Sequence, residues 1–308
     1  MQLDGIHHVS AITGDAPRNV DFYTRVLGLR MIAKTVNQDD PSVYHLFYGD
    51  EHASPGADLT FFEYPGAAPG RAGAGMVHRI VWRVGSPEAV EFWAGRLATE
   101  GVEIQREDGG ALRFADPEGL AHELVVSASP DPALIAEHPE VPAEHALQGF
   151  HAVRAYNANP DVNRRLLEDG LGFVPIEGGW EARGEQRGGL YLNDQPPVTP
   201  AHHGAGTVHH VAWSAGMEEQ EEWRERAERA GARPTPVIDR FYFRSVYFRV
   251  PGGVLFEIAT RGPGFAVDEP ADTLGEKVAL PPFLEDRRPE IEPKLTPLPN
   301  PRGARSQN

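Results

Sequence analysis

Two histidine dipeptides occupy matching settings in this chain of 308 residues: Gly5-Ile6-His7-His8-Val9-Ser10 near the start, and Thr207-Val208-His209-His210-Val211-Ala212 two thirds of the way along. Imidazole is the commonest metal ligand among side chains. Two imidazoles and one carboxylate on a single face can hold a divalent ion and leave coordination positions open beside it. The chain contains no cysteine. Disulfides, thiolate metal sites and a cysteine nucleophile are therefore excluded, and a metal would have to be held by His, Asp and Glu. Bringing two such distant pairs to one point, with a carboxylate to join them, requires a repeated scaffold.

The chain carries such a repeat. Four segments open with an apolar residue and a histidine: Ile6-His7, Val77-His78, Phe150-His151 and Val208-His209. Each is followed by helix punctuation. The first has Asp15-Ala16-Pro17 before Val20, Tyr23, Val26 and Leu27; the second has Ser86-Pro87 before Val90, Trp93 and Leu97, with Gly101 as a stop. The third has Asn159-Pro160 before Val162 and Leu166, and the fourth has an acidic run at Glu218 before Trp223, Ala227 and Gly231. Short strands follow each helix. Two closing hairpins share the pattern Phe-x-x-Pro-x-Gly, three residues, Glu: Phe114 to Glu123, and Phe248 to Glu257. The reading is an α+β fold of four βαβββ modules, over 4–66, 75–127, 147–194 and 206–262. They fall into an N-terminal domain, 1–128, and a C-terminal domain, 145–262, each an open, curved, barrel-like sheet. A Pro/Ala/Glu-rich linker, 129–144, joins them. A proline-rich extension, 263–308, follows; Phe265, Val278, Leu280, Phe283 and Leu284 give its start something to bury, and its last dozen residues read as disordered.

Aligning the modules separates two kinds of histidine. The first position is His in all four, which suggests an architectural role. The second is His8, Arg79, Ala152 and His210, so only modules one and four carry His there. Adjacent strand residues face opposite sides, which sets His8 and His210 apart from His7 and His209. The carboxylate column reads Glu63, Glu123, Leu192 and Glu257. Glu257 lies in an apolar strand, where a lone charge needs a partner or a metal. His8, His210 and Glu257 thus form a two-His-one-carboxylate set, with Glu63 as the symmetry-related candidate for a fourth ligand. Glu123, facing Arg79, reads as an ion pair. His202 and His203 read as solvated, and His45 could line a cavity without anything to fix it.

The net charge of −16 argues against nucleic acid and anionic membranes as partners. No segment has the length and apolarity of a membrane span and no leader is evident, so a cytoplasmic location is the expectation. Nothing in the sequence decides between a monomer and a homo-oligomer.

These residues, in this repeat, resemble the vicinal oxygen chelate superfamily, also called the glyoxalase/bleomycin-resistance/dioxygenase fold, over about residues 4 to 262. Within it the chain looks most like the ring-cleaving dioxygenases that open hydroquinones. The segments that carry this are Gly5 to Ser10, Asp39-Asp40-Pro41-Ser42-Val43-Tyr44-His45-Leu46-Phe47-Tyr48, and Asp239 to Arg249. The resemblance implies Fe(II) held by His8, His210 and Glu257, with Mn(II) suited to the same ligands. It implies that module one meets module four across the metal. It also implies pocket roles for His7, His209, Ser10, Arg240 and Tyr247, the last ten residues before Glu257, a small aromatic substrate and O2. Two other activities fit the scaffold: a glyoxalase-like isomerase or lyase using Glu63 and Glu257, and a metal-free resistance protein that binds an aromatic ligand.

Overall fold

The computed structural model describes residues 1–301. Residues 302–308, which make up most of the stretch expected to be disordered, lie outside the described residues. Module one runs β1 (Ile6–Thr13), α1 (Ala16–Asp21), β2 (Arg30–Val36), β3 (Tyr44–Gly49) and β4 (Asp58–Glu63). Module two runs β5 (Val77–Val84), α2 (Pro87–Thr99), β6 (Ile104–Arg106), β7 (Leu112–Ala115) and β8 (Ala121–Val126). Module three runs β9 (Phe150–Tyr156), a short irregular helical segment, β10 (Val174–Ile176), β11 (Gly179–Arg183) and β12 (Gly188–Asp194). Module four runs β13 (Val208–Ala215), α3 (Gln220–Arg229), β14 (Ile238–Asp239), β15 (Phe243–Arg249) and β16 (Leu255–Pro263). Helix α2 shows how sequence punctuation becomes structure. Ser86 accepts a hydrogen bond from the Ala89 amide, Pro87 opens the first turn, and Ala89, Val90, Trp93, Ala94 and Leu97 face inward. Gly101, at φ +73°, then ends the helix.

The strands form two eight-stranded sheets, ordered β14-β15-β16-β13-β1-β4-β3-β2 and β10-β11-β12-β9-β5-β8-β7-β6. Modules one and four therefore share one sheet, and modules two and three share the other. Each sheet draws one module from either side of the 129–144 stretch. The seams are antiparallel pairings of the two opening strands, β1 with β13 and β5 with β9.

Both seams contain β-bulges, and the bulges fall on the recurring first histidines. In β1–β13, Ile6 pairs with Trp213 and His8 with Ala212, leaving His7 as the extra residue; Ser10 pairs with His210 and Ala11 with Val208, leaving His209. In β5–β9 the same shifts leave out His78 and His151. A bulge kinks its strand and re-aims the extra side chain. That is the architectural role of the recurring position, and it overrides simple alternation of faces at these four residues.

The two sheets pack through large side chains. Phe173 of module three meets Trp213 of module four with ring centroids 4.7 Å apart, and Tyr191 meets Phe256 at 5.2 Å. A polar chain also crosses between the sheets. Trp82 Nε1 donates to His122 Nδ1 at 3.1 Å, His122 Nε2 lies 2.9 Å from the Tyr23 hydroxyl, and that hydroxyl donates to Asp116 at 3.0 Å. The C-terminal extension wraps module one and buries Phe265, Leu274, Leu280, Leu284, Ile291 and Leu295. The Ala279 amide donates to the Lys34 carbonyl at 2.9 Å, covering part of edge strand β2. Phe283, expected among the buried residues, is instead 61% exposed. It lies on the outer side of a one-turn helix, Pro282–Glu285, whose inner side is taken by Leu284. No helix among the described residues is long and apolar enough to cross a membrane.

Burial pulls the His122 imidazole down to about 3. The unfolded chain binds a proton there from pH 6.5 downward and the folded protein does not, so this stability is complete above pH 6.5 and is lost as pH falls toward 3. Asp116, pushed up to about 6 by burial, works in the opposite sense at lower pH. Denaturant unfolding at pH 7 and pH 5 will show a smaller acid loss in His122→Phe than in the unaltered protein, because only the first group has been removed.

Candidate metal centre

The β1–β13 seam carries His8 and His210, and β16 lies beside β13 in parallel, with Glu257 opposite Ala212. Three side chains so placed converge on one point. His8 Nε2 and His210 Nε2 are 3.2 Å apart, and Glu257 Oε2 lies 3.1 Å from the first and 2.8 Å from the second. All three residues are buried, Glu257 completely. Neighbouring ligands on an octahedral ion with bonds of about 2.1 Å stand about 3.0 Å apart, which these separations match. Glu257 Oε2 is also a buried oxygen with no hydrogen-bond partner despite two imidazole nitrogens at contact distance. The three atoms thus lie at the mutual distances that one bound ion would span. Of the groups able to hold a metal among the described residues, one is His8, His210 and Glu257; another is His7, His8 and Asp58.

Each histidine pair works as a unit. His8 Nδ1 lies 2.9 Å from His7 Nδ1, and His7 Nε2 lies 3.1 Å from the Thr260 carbonyl. A neutral His8 whose Nε2 lone pair faces the centre carries its proton on Nδ1 and donates it to His7, which donates its own Nε2–H to Thr260. His210 and His209 repeat this contact at 2.8 Å. Partners of this kind set ring orientation and tautomer. On a regular strand the two rings would face opposite ways, and the bulges are what let them meet. His209 is exposed, whereas His7 is buried and held down at about 3 by burial and by His8. On the carboxylate side, Ser245 Oγ donates to Glu257 Oε1 at 2.5 Å. Burial would raise the Glu257 carboxyl, but His8 and His210 outweigh it and hold it well below the ordinary range. Burial lowers His210, while Glu257 overcomes burial at His8 and raises it.

The centre opens into a cleft lined by His8, His210, Glu257, His45, Arg240 and Tyr247 among others. Tyr247 sits directly across the ladder from Glu257. Arg240 lies over the Tyr247 ring, 5.6 Å from its centroid, and pairs with Asp39 at 3.1 Å. Ser10 lies behind the cleft wall, fully buried, with its hydroxyl 2.7 Å from that of Thr60.

The register corrects the carboxylate column. Ser10 pairs with Thr60, as Ala212 pairs with Glu257. The counterpart of Glu257 in module one is therefore Thr60. Glu63, the candidate fourth ligand, pairs with Thr13 and accepts from Thr296 Oγ1 at 3.1 Å, away from the centre. Loop lengths differ between the modules, so counting back from the strand end misplaces the column by three residues in module one. In the second sheet Arg79 and Glu123 form the expected ion pair at 2.7 Å, and Ala152 and Leu192 take the remaining positions. Among the described residues, a group able to hold a metal occurs in this sheet alone. Thr60 and Ser245 were missed from sequence; alternation from Tyr247 puts Ser245 on the same face, but only register identifies Thr60.

A fold of paired βαβββ modules with a His-His-Glu centre defines the class. A model of the Glyoxalase/Bleomycin resistance protein/Dioxygenase superfamily matches residues 5–124, and the chain belongs to that superfamily. Within it, the chain stands with the ring-cleaving dioxygenases. It is 40% identical over 317 residues to "Putative ring-cleaving dioxygenase MhqA" of Bacillus subtilis, covering 97% of this chain and 100% of that protein. It is 32% identical to the chlorohydroquinone/hydroquinone 1,2-dioxygenase of Sphingobium indicum, covering 94% and 95% of the two chains. The crystal structure of a putative dioxygenase from Bacillus subtilis superposes with a TM-score of 0.90 at 38% identity, covering 97% and 98% of the two chains.

Glu257→Gln keeps the shape of the side chain and removes its charge. Metal content after reconstitution and dialysis, read by elemental analysis, will fall to a small fraction of that of the unaltered protein, while Glu63→Gln retains full content.

Proposed function

We propose that this enzyme is a non-haem Fe(II)-dependent dioxygenase that opens a hydroquinone-type aromatic ring with O2. The observation that carries the reading is the convergence of His8 Nε2, His210 Nε2 and Glu257 Oε2 within 3.2 Å of one another at the floor of an aromatic-lined cleft. The relatives named above support the ring-cleaving reaction and the hydroquinone class. Manganese fits the same donors. The glyoxalase-like reading requires Glu63 beside Glu257, and Glu63 lies elsewhere.

Iron(II) held by these three atoms supplies the redox route between an electron-rich ring and O2 and lowers the pKa of a bound phenol. The remaining work falls to side chains. Phe47, Phe62 and Phe243 line the cleft and orient a flat ring. Burial raises the Tyr247 hydroxyl above its ordinary range, so it stays protonated and serves as a hydrogen-bond donor to oxygen atoms at the centre. Burial works against the Arg240 guanidinium, but Tyr247 and Asp39 outweigh it and the group stays charged. It offers a fixed positive charge where negative charge develops during ring attack. His7 and His209 hold the two ligand imidazoles in the tautomer that leaves Nε2 free.

Oxygen-electrode assays of the iron-reconstituted enzyme on hydroquinones and catechols test this. Uptake with a hydroquinone, giving a ring-opened product that carries both oxygen atoms, is the expected result. Metal-loaded enzyme that consumes no oxygen with any member of the panel would sink the reading. Tyr247→Phe is expected to lower kcat roughly 100-fold or more, in line with loss of a positioned proton donor, with metal content unchanged.

A further inference from the structure

The wall of the cleft contributed by module one contains a polar network that the proposed chemistry does not use. Strand pairing sets Phe47 opposite Thr60, as Tyr247 stands opposite Glu257. By the same count His45, two residues before Phe47, is the counterpart of Ser245. The relation between partners is also kept. Ser245 Oγ contacts Glu257 on one wall, and on the other His45 Nε2 contacts Thr60 Oγ1 at 3.0 Å. Thr60 Oγ1 is in turn 2.7 Å from Ser10 Oγ. Where the internal symmetry would put a second carboxylate and its hydroxyl donor, this chain has a neutral hydroxyl-imidazole chain. It runs Ser10, Thr60, His45, and ends at the cleft.

His45 is held firmly at that end. Its ring lies against Phe47 and Phe62, with centroids 4.0 and 4.2 Å away. Burial, with His8 and His210 nearby, holds the imidazole well below its ordinary range, so it is neutral. Its Nδ1 has no hydrogen-bond partner among the described residues, and the residue lines the cleft. A neutral imidazole with Nε2 fixed has one nitrogen to offer. If Thr60 donates to Nε2, Nδ1 carries the proton and is a donor; if Nε2–H donates to Thr60, Nδ1 is an acceptor. Rotating the Thr60 and Ser10 hydroxyls together with a change of His45 tautomer reverses the chain without creating a charge.

We infer that His45 is a specificity-determining residue whose Nδ1 binds the ring hydroxyl of the substrate that the metal does not hold, with Thr60 and Ser10 as the residues that position it. The inference rests on the proposed aromatic-diol substrate. Cleft sites owe orientation and selectivity to a few such polar groups in apolar walls. A polar group built to meet a hydroxyl rejects an analogue that lacks one, because the group is then left unpaired. It also recasts Ser10, which acts on substrate through two intermediaries instead of touching it.

The test is anaerobic calorimetry on the metal-loaded enzyme with hydroquinone and with 4-methylphenol, in which a methyl group replaces the second hydroxyl and can neither donate nor accept. The unaltered protein is expected to prefer hydroquinone. His45→Phe, which suits its aromatic neighbours, is expected to weaken hydroquinone binding roughly 10- to 100-fold, as for one buried hydrogen bond, and to leave 4-methylphenol binding and metal content unchanged. Thr60→Val should lose part of the same preference, and Thr60→Ser should restore it. Equal losses for both ligands, or a preference that survives in His45→Phe and Thr60→Val alike, overturns the inference. If the unaltered protein binds catechol but not hydroquinone, the hydroquinone reading fails, and catechol against 2-methylphenol makes the same comparison for His45. A protein that binds none of these ligands overturns both.

Discussion

The antiparallel pairing of β1 with β13 is the constraint on which the rest depends. It joins strands about two hundred residues apart in sequence, and the candidate ligands on β1 and β13, His8 and His210, end with their Nε2 atoms 3.2 Å apart. The paired bulges within it are as important as the pairing. Without them, alternation would send His7 and His209 to the face opposite their neighbours. With them, His7 and His209 become the hydrogen-bond partners that orient the neighbouring His8 and His210 rings. One backbone irregularity, used four times in the chain, supplies two working pairs in one sheet and two residues outside the metal set, His78 and His151, in the other.

Burying a full carboxylate at Glu257 is costly unless it is compensated. Here one serine hydroxyl serves Oε1, and Oε2 shares a centre with two imidazole nitrogens, an arrangement that a cation would complete. The second sheet shows another solution to the same problem. Glu123 occupies the equivalent place, but the residue that corresponds to His8 is Arg79, and the two neutralise each other directly. Equivalent backbone positions thus carry a metal-competent triad in one sheet and a closed ion pair in the other. The second sheet still contributes to the first through packing, since Phe173 and Tyr191 support Trp213 and Phe256, the latter adjacent to Glu257.

The two walls of the cleft differ in the same way. The module-four wall presents Glu257, Tyr247 and the permanently charged Arg240, and the module-one wall presents His45 among phenylalanines. One side of the cleft thus carries charge and the other a neutral imidazole. The C-terminal extension adds to this by packing Phe265 against Phe47 and Tyr242, both with centroids 4.9 Å away. A segment whose composition disfavours regular structure thereby stiffens the cleft.

Much of this was legible in the residues alone. The repeat, the helix caps, the Phe-x-x-Pro-x-Gly hairpins and the modules that carry His at the second position are local patterns, set by backbone preference and periodicity, and they were enough to single out His8, His210 and Glu257. What they could not supply was register. A strand's own sequence says which residues alternate, not which residue of a distant strand lies opposite. Glu63 therefore looked equivalent to Glu257, and only the β1–β4 ladder shows that Thr60 is. The bulges were equally hidden, because a bulge belongs to a pair of strands and not to either one. From sequence, His45 was a histidine with nothing to fix it, and Ser10 was a pocket residue by resemblance. Folding joined them through Thr60, since a hydrogen bond between strands exists only once tertiary pairing has set their spacing.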